Sequence, residues 1–253
     1  MTSRSLKELV RLKLERLNLR PRRRFRRSFG LNRLDHKLAE YISKKNGFFV
    51  EAGGNDGLTQ SNTAYFEQYL GWRGLLIEPI PNLAILCRAN RPRALVEQCA
   101  LVPAGFNKPT VSMTYCNLYS LVDGARGSRD ADQEHINSGK QFRSREDTVY
   151  TVEVPARTLT DVLAASKVKK VDFLSLDVEG FEACALAGLD FARYAPTWIL
   201  VEANDPAAIE CFLLPRYEFI GVISHHDRLY KLRRSWRYGR RQIGRRLVGR
   251  SKL

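Results

Sequence analysis

The sequence predicts an α/β protein: a mostly parallel sheet with helices on both faces and an antiparallel strand closing it. Three observations carry this. From Phe48 onward, short apolar runs alternate with helix-patterned segments, the order that builds parallel strands joined by crossover helices. The inner runs, such as VDFLSL at Val171–Leu176, are apolar almost without interruption, as strands covered on both faces must be. The first strand, FFVEA from Phe48, runs into the glycine turn GGNDG and then a helix, the opening unit of a nucleotide-binding sheet.

In chain order, Ser5–Leu19 places Leu6, Leu9, Leu14 and Leu17 near helical spacing among Lys and Arg, a basic amphipathic helix that Pro21 stops. Asp35–Lys45 reads as a helix leading into the first strand. Ser61–Leu70 is the helix after the glycine turn, with Ser61 or Thr63 near its start and Phe66, Tyr69 and Leu70 on its buried side. Leu75–Ile77 is the second strand, Leu83–Ala89 its helix and Ala94–Leu101 a third strand. Pro103–Tyr150 is the least regular stretch, a strand at Thr110–Cys116 and then a polar run that predicts a long lid or binding loop. Thr151–Pro155 is a strand, and Leu159–Ala165 a helix that Thr158 or Thr160 caps. Val171–Leu176 delivers Asp177-Val178-Glu179-Gly180 at its carboxyl end, and Phe181–Leu189 returns as a helix. Trp198–Val201 ends in Glu202-Ala203-Asn204, followed by a helix at Asp205–Leu214 with Pro206 in its first position. Phe219–Ile223 and Arg228–Leu232 flank the turn Ser224-His225-His226-Asp227 as the closing antiparallel strands.

Charge divides the chain into three parts. The 253 residues carry a net +15, but residues 1–37 hold thirteen Lys/Arg against three acids, and residues 228–253 hold eleven against none. Those ends account for +10 and +11, which leaves −6 for the centre. The expected organisation is a basic extension at 1–37, a central domain at 38–232 and a basic tail at 233–253. An acidic centre argues against a nucleic-acid clamp spanning the whole protein. Five widely spaced cysteines without a C-x-x-C pair read as reduced, mostly buried thiols, neither a disulfide frame nor a zinc site. No apolar run of about 18 residues is present, so no membrane-spanning helix is expected, and the charged N-terminus lacks the apolar stretch of a secretory signal.

The glycine turn decides the ligand class. From Gly53 the chain reads G-G-N-D-G, which does not fit the dinucleotide fingerprint. It reads instead as Glu51, Gly53 and Gly57 in E-x-G-x-x-x-G spacing, with Gly54, Asn55 and Asp56 inside the turn. A pyrophosphate here would be repelled by Glu51 and Asp56, whereas the sulfonium and ammonium of S-adenosylmethionine would be attracted to them. Glu78 ends the second strand 21 residues after Gly57, about the distance at which an acid reaches ribose hydroxyls in such a sheet.

FVEAGGNDG, Ser61-Asn62-Thr63, GWRGLLIEPIP, TLTDVL and VDFLSLDVEGFE, in this order, resemble the FkbM-type S-adenosylmethionine-dependent methyltransferases over about Phe48 to Leu232. Ala52 and Gly54 stand where members often have isoleucine and alanine, which leaves the turn intact. The resemblance implies a Rossmann-like class I methyltransferase fold and, usually, methylation of a hydroxyl on a sugar or polyketide-like product. In that fold Cys99 and Ala100 fall where the adenine is framed.

Methyl transfer from a sulfonium needs an acceptor oxygen aligned with the S–CH3 bond and a base for its proton. Asp177, leaving a central strand, is the first candidate to sit beside the methyl group. Glu179 would orient the acceptor or bind a cofactor-side group, and His225 or His226 is the candidate base. Tyr115, Asn117 and Tyr119 are candidates for an acceptor pocket, while His135 reads as a surface residue. No metal is assigned, although Asp177, Glu202 and Asn204 form a set of hard oxygen ligands suited to Mg²⁺.

The expected acceptor is a small molecule or glycan, with the basic ends making peripheral contact with an anionic membrane at its cytoplasmic face. The final Ser251-Lys252-Leu253 also matches a peroxisomal address, but three residues of common type carry little information and the match is set aside. Two other readings stay open. One is an RNA ribose methyltransferase gripping through its basic ends; the turn after Leu176 lacks the D/N-P-P-aromatic pattern of base-amino methylation. The other is a non-catalytic membrane- or polyanion-binding protein.

Overall fold

The computed structural model describes residues 27–140 and 148–236. The helix expected at Ser5–Leu19, the basic run after it and the C-terminal tripeptide lie outside the described residues. In chain order the first elements are α1 (Leu34–Tyr41), β1 (Phe48–Ala52), α2 (Ala64–Leu70), β2 (Arg73–Ile77), α3 (Pro81–Asn90), β3 (Leu95–Glu97) and β4 (Ala100–Leu101). Next come β5 (Thr110–Tyr115), β6 (Leu121–Val122), α4 (Arg129–Lys140), β7 (Tyr150–Arg157), α5 (Leu159–Ala165) and β8 (Phe173–Leu176). The chain continues through α6 (Glu182–Ala187), α7 (Phe191–Tyr194), β9 (Trp198–Glu202), α8 (Pro206–Leu213), β10 (Tyr217–Val222) and β11 (Asp227–Leu232).

Seven strands form one sheet in the order β10-β11-β9-β8-β1-β2-β3. β3, β2, β1, β8 and β9 run parallel, and β11 enters antiparallel between β9 and β10. Alternation along each strand separates two cores, because successive side chains point to opposite faces. Val50, Leu75, Leu174, Ile199 and Val201 pack on one side with Val162, Leu163 and Leu186 of the later helices. Phe49, Leu76, Phe173 and Leu200 pack on the other with Leu38, Phe66 and Trp72. The sheet is therefore covered on both faces, as its apolar strands require. Packing extends beyond 38–232 at both ends, since Leu34 of α1 is buried and Trp236 rests on the first core.

Three expectations change in detail. The string Ala94–Leu101 is two strands: β3 stays in the main sheet, whereas β4 leaves it to pair with Ala156 and Arg157 of β7. Gln98 and Cys99 make that crossing, and Cys99 is fully buried at it. The expected loop after residue 116 is largely ordered, because β6 pairs with β5 and α4 follows. Only Ile136 and Gly139 of α4 are buried, so its sequence shows no apolar stripe for periodicity to find. The strands β4, β7, β5 and β6 make a second small sheet. Finally, α1 ends at Tyr41, four residues short of the helix expected to Lys45.

Candidate functional site

The first functional geometry is the glycine turn after β1. Gly53 and Gly54 both donate backbone N–H groups to the Ile77 carbonyl, at 3.1 and 3.2 Å, which ties the turn to the end of β2. Gly53 has φ +84, and a Cβ there would lie 1.8 Å from the Asp177 carbonyl oxygen, so only glycine fits between β1 and β8. The turn is held from outside by its own acids. Asp56 Oδ1 accepts from the amides of Leu58 and Thr59 at 2.8 and 2.6 Å. Burial pushes the Asp56 carboxyl up, but the hydrogen bonds from Thr59 and Leu58 outweigh it and hold the group below its usual range.

Glu51 is turned away from this space. Its carboxylate accepts from the Ser61 and Thr63 hydroxyls and the Asn62 amide, at 2.9, 2.6 and 2.8 Å, and so anchors the start of α2. Arg91, also buried, lies 3.6 Å from Glu51, donates to Glu67 at 2.6 Å and to the Gly57 carbonyl at 2.9 Å. A buried charge needs such a network, and here one guanidinium ties α2, α3 and the end of the glycine turn together.

Beyond the turn opens a cavity that, with its mouth, encloses about 870 Å³. Gly53, Asn55 and Glu78 form one part of its wall, and Cys99 with Ala100 another. Asp177 and Glu179 line it from the end of β8, while Met113, Asn117, Ser120 and Val122 face it from the second sheet and its connection. Of the residues singled out in the sequence, these seven positions from Gly53 to Glu179, together with Asn117, meet at one cavity. Glu51, Gly54, Asp56 and Gly57 build the turn behind it and do not line it. His225 is exposed in the turn between β10 and β11 and does not line the cavity, nor do Tyr115 and Tyr119.

Glu78 is 4% exposed and accepts from the Asn55 and Ile80 amides at 2.7 and 2.9 Å, so both oxygens are held in place. Burial pushes its carboxyl up to about 7, with the Ile80 and Asn55 amides opposing the shift. Asn55 takes φ +47 to reach it.

The end of β8 gathers more acid than the sequence reading supposed. Asp177, Glu182 and Glu202 bring one carboxylate oxygen each within 4.8 Å of one another. Burial raises the Asp177 carboxyl well above its usual range, and Glu202, Glu179 and Glu182 add to the effect. Glu182 is pushed up to about 7 by burial, although its Oε1 accepts from the Val178 and Gly180 amides at 2.9 and 3.1 Å. Glu182 was missed because it opens a helix; its spacing in Asp177-Val178-Glu179-Gly180-Phe181-Glu182 was the available signal. Asn204 is exposed and stands outside this group.

His135 is not a surface residue. Its side chain is 9% exposed, and Nε2 lies 3.0 Å from Glu179 Oε2, with the ring 5.0 Å from that of Tyr119. Glu179 sits at φ +55, a costly conformation for a residue with a Cβ, and is raised by burial and by Glu202 against His135 and Arg126. The cysteines conform to the expectation of thiols without a disulfide: Cys87, Cys99 and Cys116 are buried, and burial pushes Cys87 and Cys99 up to about 12. Among the described residues no helix is long and apolar enough to cross a membrane.

A sheet of this order, with one antiparallel strand inserted next to its edge and acids at the ends of its parallel strands, is the Rossmann-like sheet of class I methyltransferases. The model of the family described as the methyltransferase FkbM domain matches residues 51–238, and the chain belongs to that family. Among solved structures, a TehB-like SAM-dependent methyltransferase from Corynebacterium glutamicum ATCC 13032 Kitasato is similar at 10% identity, over 79% of this chain and 88% of that one, with a TM-score of 0.40. Among curated proteins, none matches the chain.

Proposed function

We propose that the protein transfers a methyl group from S-adenosylmethionine to a hydroxyl of a sugar, glycolipid or polyketide-like acceptor. The observation that carries this reading is that Glu78 and Asp177 line the same cavity, on either side of a turn where Gly53 leaves no room for a side chain. The donor set fits the cofactor. Glu78 is a buried carboxyl at a strand end, and Asp177 Oδ1 is sealed from solvent and accepts from no N–H or hydroxyl among the described residues. When bound, S-adenosylmethionine supplies a methyl group already activated by its sulfonium.

The chain's own residues do the rest. Glu78 takes the ribose hydroxyls, its oxygens fixed by Asn55 and Ile80. Cys99 and Ala100 flank the adenine side, and Gly53 and Asn55 keep the turn open. Asp177 accepts the acceptor's proton; burial and the carboxylates of Glu202, Glu179 and Glu182 favour its neutral form, and the sulfonium of a bound cofactor would favour the charged form a base needs. Glu179, set by His135, orients the acceptor. Met113, Val122 and Phe181 offer apolar surface, and Asn117 and Ser120 polar groups, which suits a hydroxylated molecule on an apolar frame.

Calorimetry with S-adenosylmethionine and its demethylated product tests cofactor binding, and no heat with either overturns the reading. Mass spectrometry of glycans and lipids from a deletion strain identifies the acceptor as the species that loses a single methyl group. A second reading rests on the +10 and +11 of the two ends, which suit an anionic surface. The favoured surface is a membrane, placing the enzyme at the cytoplasmic face beside lipid-linked acceptors. Tight, strongly salt-dependent RNA binding would instead favour ribose methylation.

A further inference from the structure

We propose that Asp177, Glu182 and Glu202 form a binding site for one divalent cation of the Mg²⁺ or Mn²⁺ class. This goes beyond methyl transfer, since the cation would bind with or without a cofactor. The three carboxylates come from two adjacent strand ends and a helix start. β8 and β9 are in register up to Leu176 and Val201, so Asp177 and Glu202 are the next residues on neighbouring parallel strands. Glu182 reaches back from α6 and is fixed by the Val178 and Gly180 amides, which occupy its Oε1. One oxygen of each lies within 4.8 Å of the other two, a spread that a small contraction closes around an ion with oxygens at about 2.1 Å.

Proximity of acids alone would not make a site. The second observation is that Asp177 Oδ1 and Glu202 Oε2 are both sealed from solvent, and among the described residues their only hydrogen-bonding partner is each other's carboxyl, when one of the two is protonated. Sealed carboxylate oxygens need a shared proton or a positive partner, and only a cation lets all three carboxylates ionise together. Three cationic side chains of this region have other partners: Arg126 and His135 face Glu179, and Lys37 donates to the Ile223 carbonyl. An all-carboxylate set selects a hard cation over zinc or copper, because it contains no imidazole or thiolate. Asp177 belongs both to this triad and to the cavity wall, so the cation's open positions would lie where acceptor oxygens arrive. The acceptor class that fits is then one with two adjacent oxygens able to chelate; that last step rests on the proposed methyl transfer.

The test is Mn²⁺ titration of the full chain after chelator treatment, read by electron paramagnetic resonance of free Mn²⁺. One saturable Mn²⁺ per chain, displaced by Mg²⁺, is expected. Glu202→Gln should weaken it at least tenfold. Glu182→Gln, which keeps the oxygen that caps Val178 and Gly180, serves as the second variant and should do the same if Glu202→Gln does not fold. No saturable Mn²⁺ in the wild type overturns the site, as does a wild-type affinity that survives in the folded variants. Titration of the demethylated cofactor in metal-free buffer, run in parallel, reports separately on the cofactor cavity.

Discussion

The carbonyl oxygen of Asp177 occupies the space that a side chain on Gly53 would need: a Cβ there would lie 1.8 Å from it. The first strand's turn and the acid proposed to act in catalysis are thus packed backbone to backbone. Gly53→Ala must move one of them and also places alanine at φ +84, which alone costs about 1–2 kcal/mol. The variant should melt lower and lose measurable cofactor binding. Gly54→Ala is the control, because its Cβ would meet Cys87 Sγ at 3.4 Å and the Cβ atoms of Leu76 and Glu78 at 3.6 and 3.7 Å, all ordinary contacts, and it should keep both within a few degrees and a few-fold. Equal behaviour of the two variants in calorimetry and melting would remove Gly53 from its proposed role.

Glu78→Ala should weaken cofactor binding by about 1–3 kcal/mol, or roughly fivefold to 150-fold, because the ribose hydroxyls lose their carboxyl partner. The Asn55 and Ile80 amides are orphaned by the same change, so the affinity loss is to be compared with a melting curve. An unchanged dissociation constant in a folded variant assigns the ribose to another group.

Glu78 also predicts a pH dependence. Burial raises it from 4.5 to about 7 in the folded protein. Below pH 4.5 the group is protonated in both states and contributes no penalty. As pH rises from 4.5 through about 7, the unfolded chain ionises it freely while the fold resists. Cofactor-free stability therefore falls across that window, by about 3 kcal/mol from this group. Melting from pH 5 to pH 8 should show the decline, and Glu78→Gln should make it shallower, the remainder coming from Glu182 and the other raised carboxyls. Identical slopes for the two proteins would contradict the assignment.

Where sequence reading succeeded, the information was local. The β1 strand, the glycine turn and the start of α2 are consecutive, and Glu78 follows one strand later, so spacing alone brought them together. The acids at the end of β8 were legible for the same reason. Glu182 and His135 were not. Glu182 acts by folding back onto Val178 and Gly180, and His135 comes from a helix whose surface is almost wholly polar. The second sheet was also hidden, because β4 pairs with β7 from the far side of the polar stretch, and a two-residue strand has no period to read. The role given to Glu51 was half visible: its charge was apparent, but only the fold shows Ser61, Asn62 and Thr63 consuming it.

Asp177→Asn should separate catalysis from folding. The side chain lies among carboxylates that raise its proton affinity, so removing its charge relieves repulsion and should leave the melting temperature equal or slightly higher. Methyl transfer should fall by about 10²-fold or more with the loss of a base. Methylated product measured in a deletion strain carrying the variant decides it, and normal levels exclude Asp177 from proton transfer.

The last prediction concerns the two basic ends. Their +10 and +11 against a centre of −6 give a charge distribution that methyl transfer itself does not need. Each Lys or Arg near an anionic leaflet contributes about 1 kcal/mol of attraction, which salt screens. The full chain should co-float with anionic vesicles at low salt and detach at high salt. The comparison protein must be cut with the sheet in mind. Ending it at Asp227 would remove β11 from between β9 and β10, whereas residues 27–236 retain every described element. That shorter protein should remain with the soluble fraction at every salt concentration. If it floats as well as the full chain, the contact lies on the folded body. If neither floats, the basic ends serve another polyanion, and RNA binding under the same salt series becomes the measurement that matters.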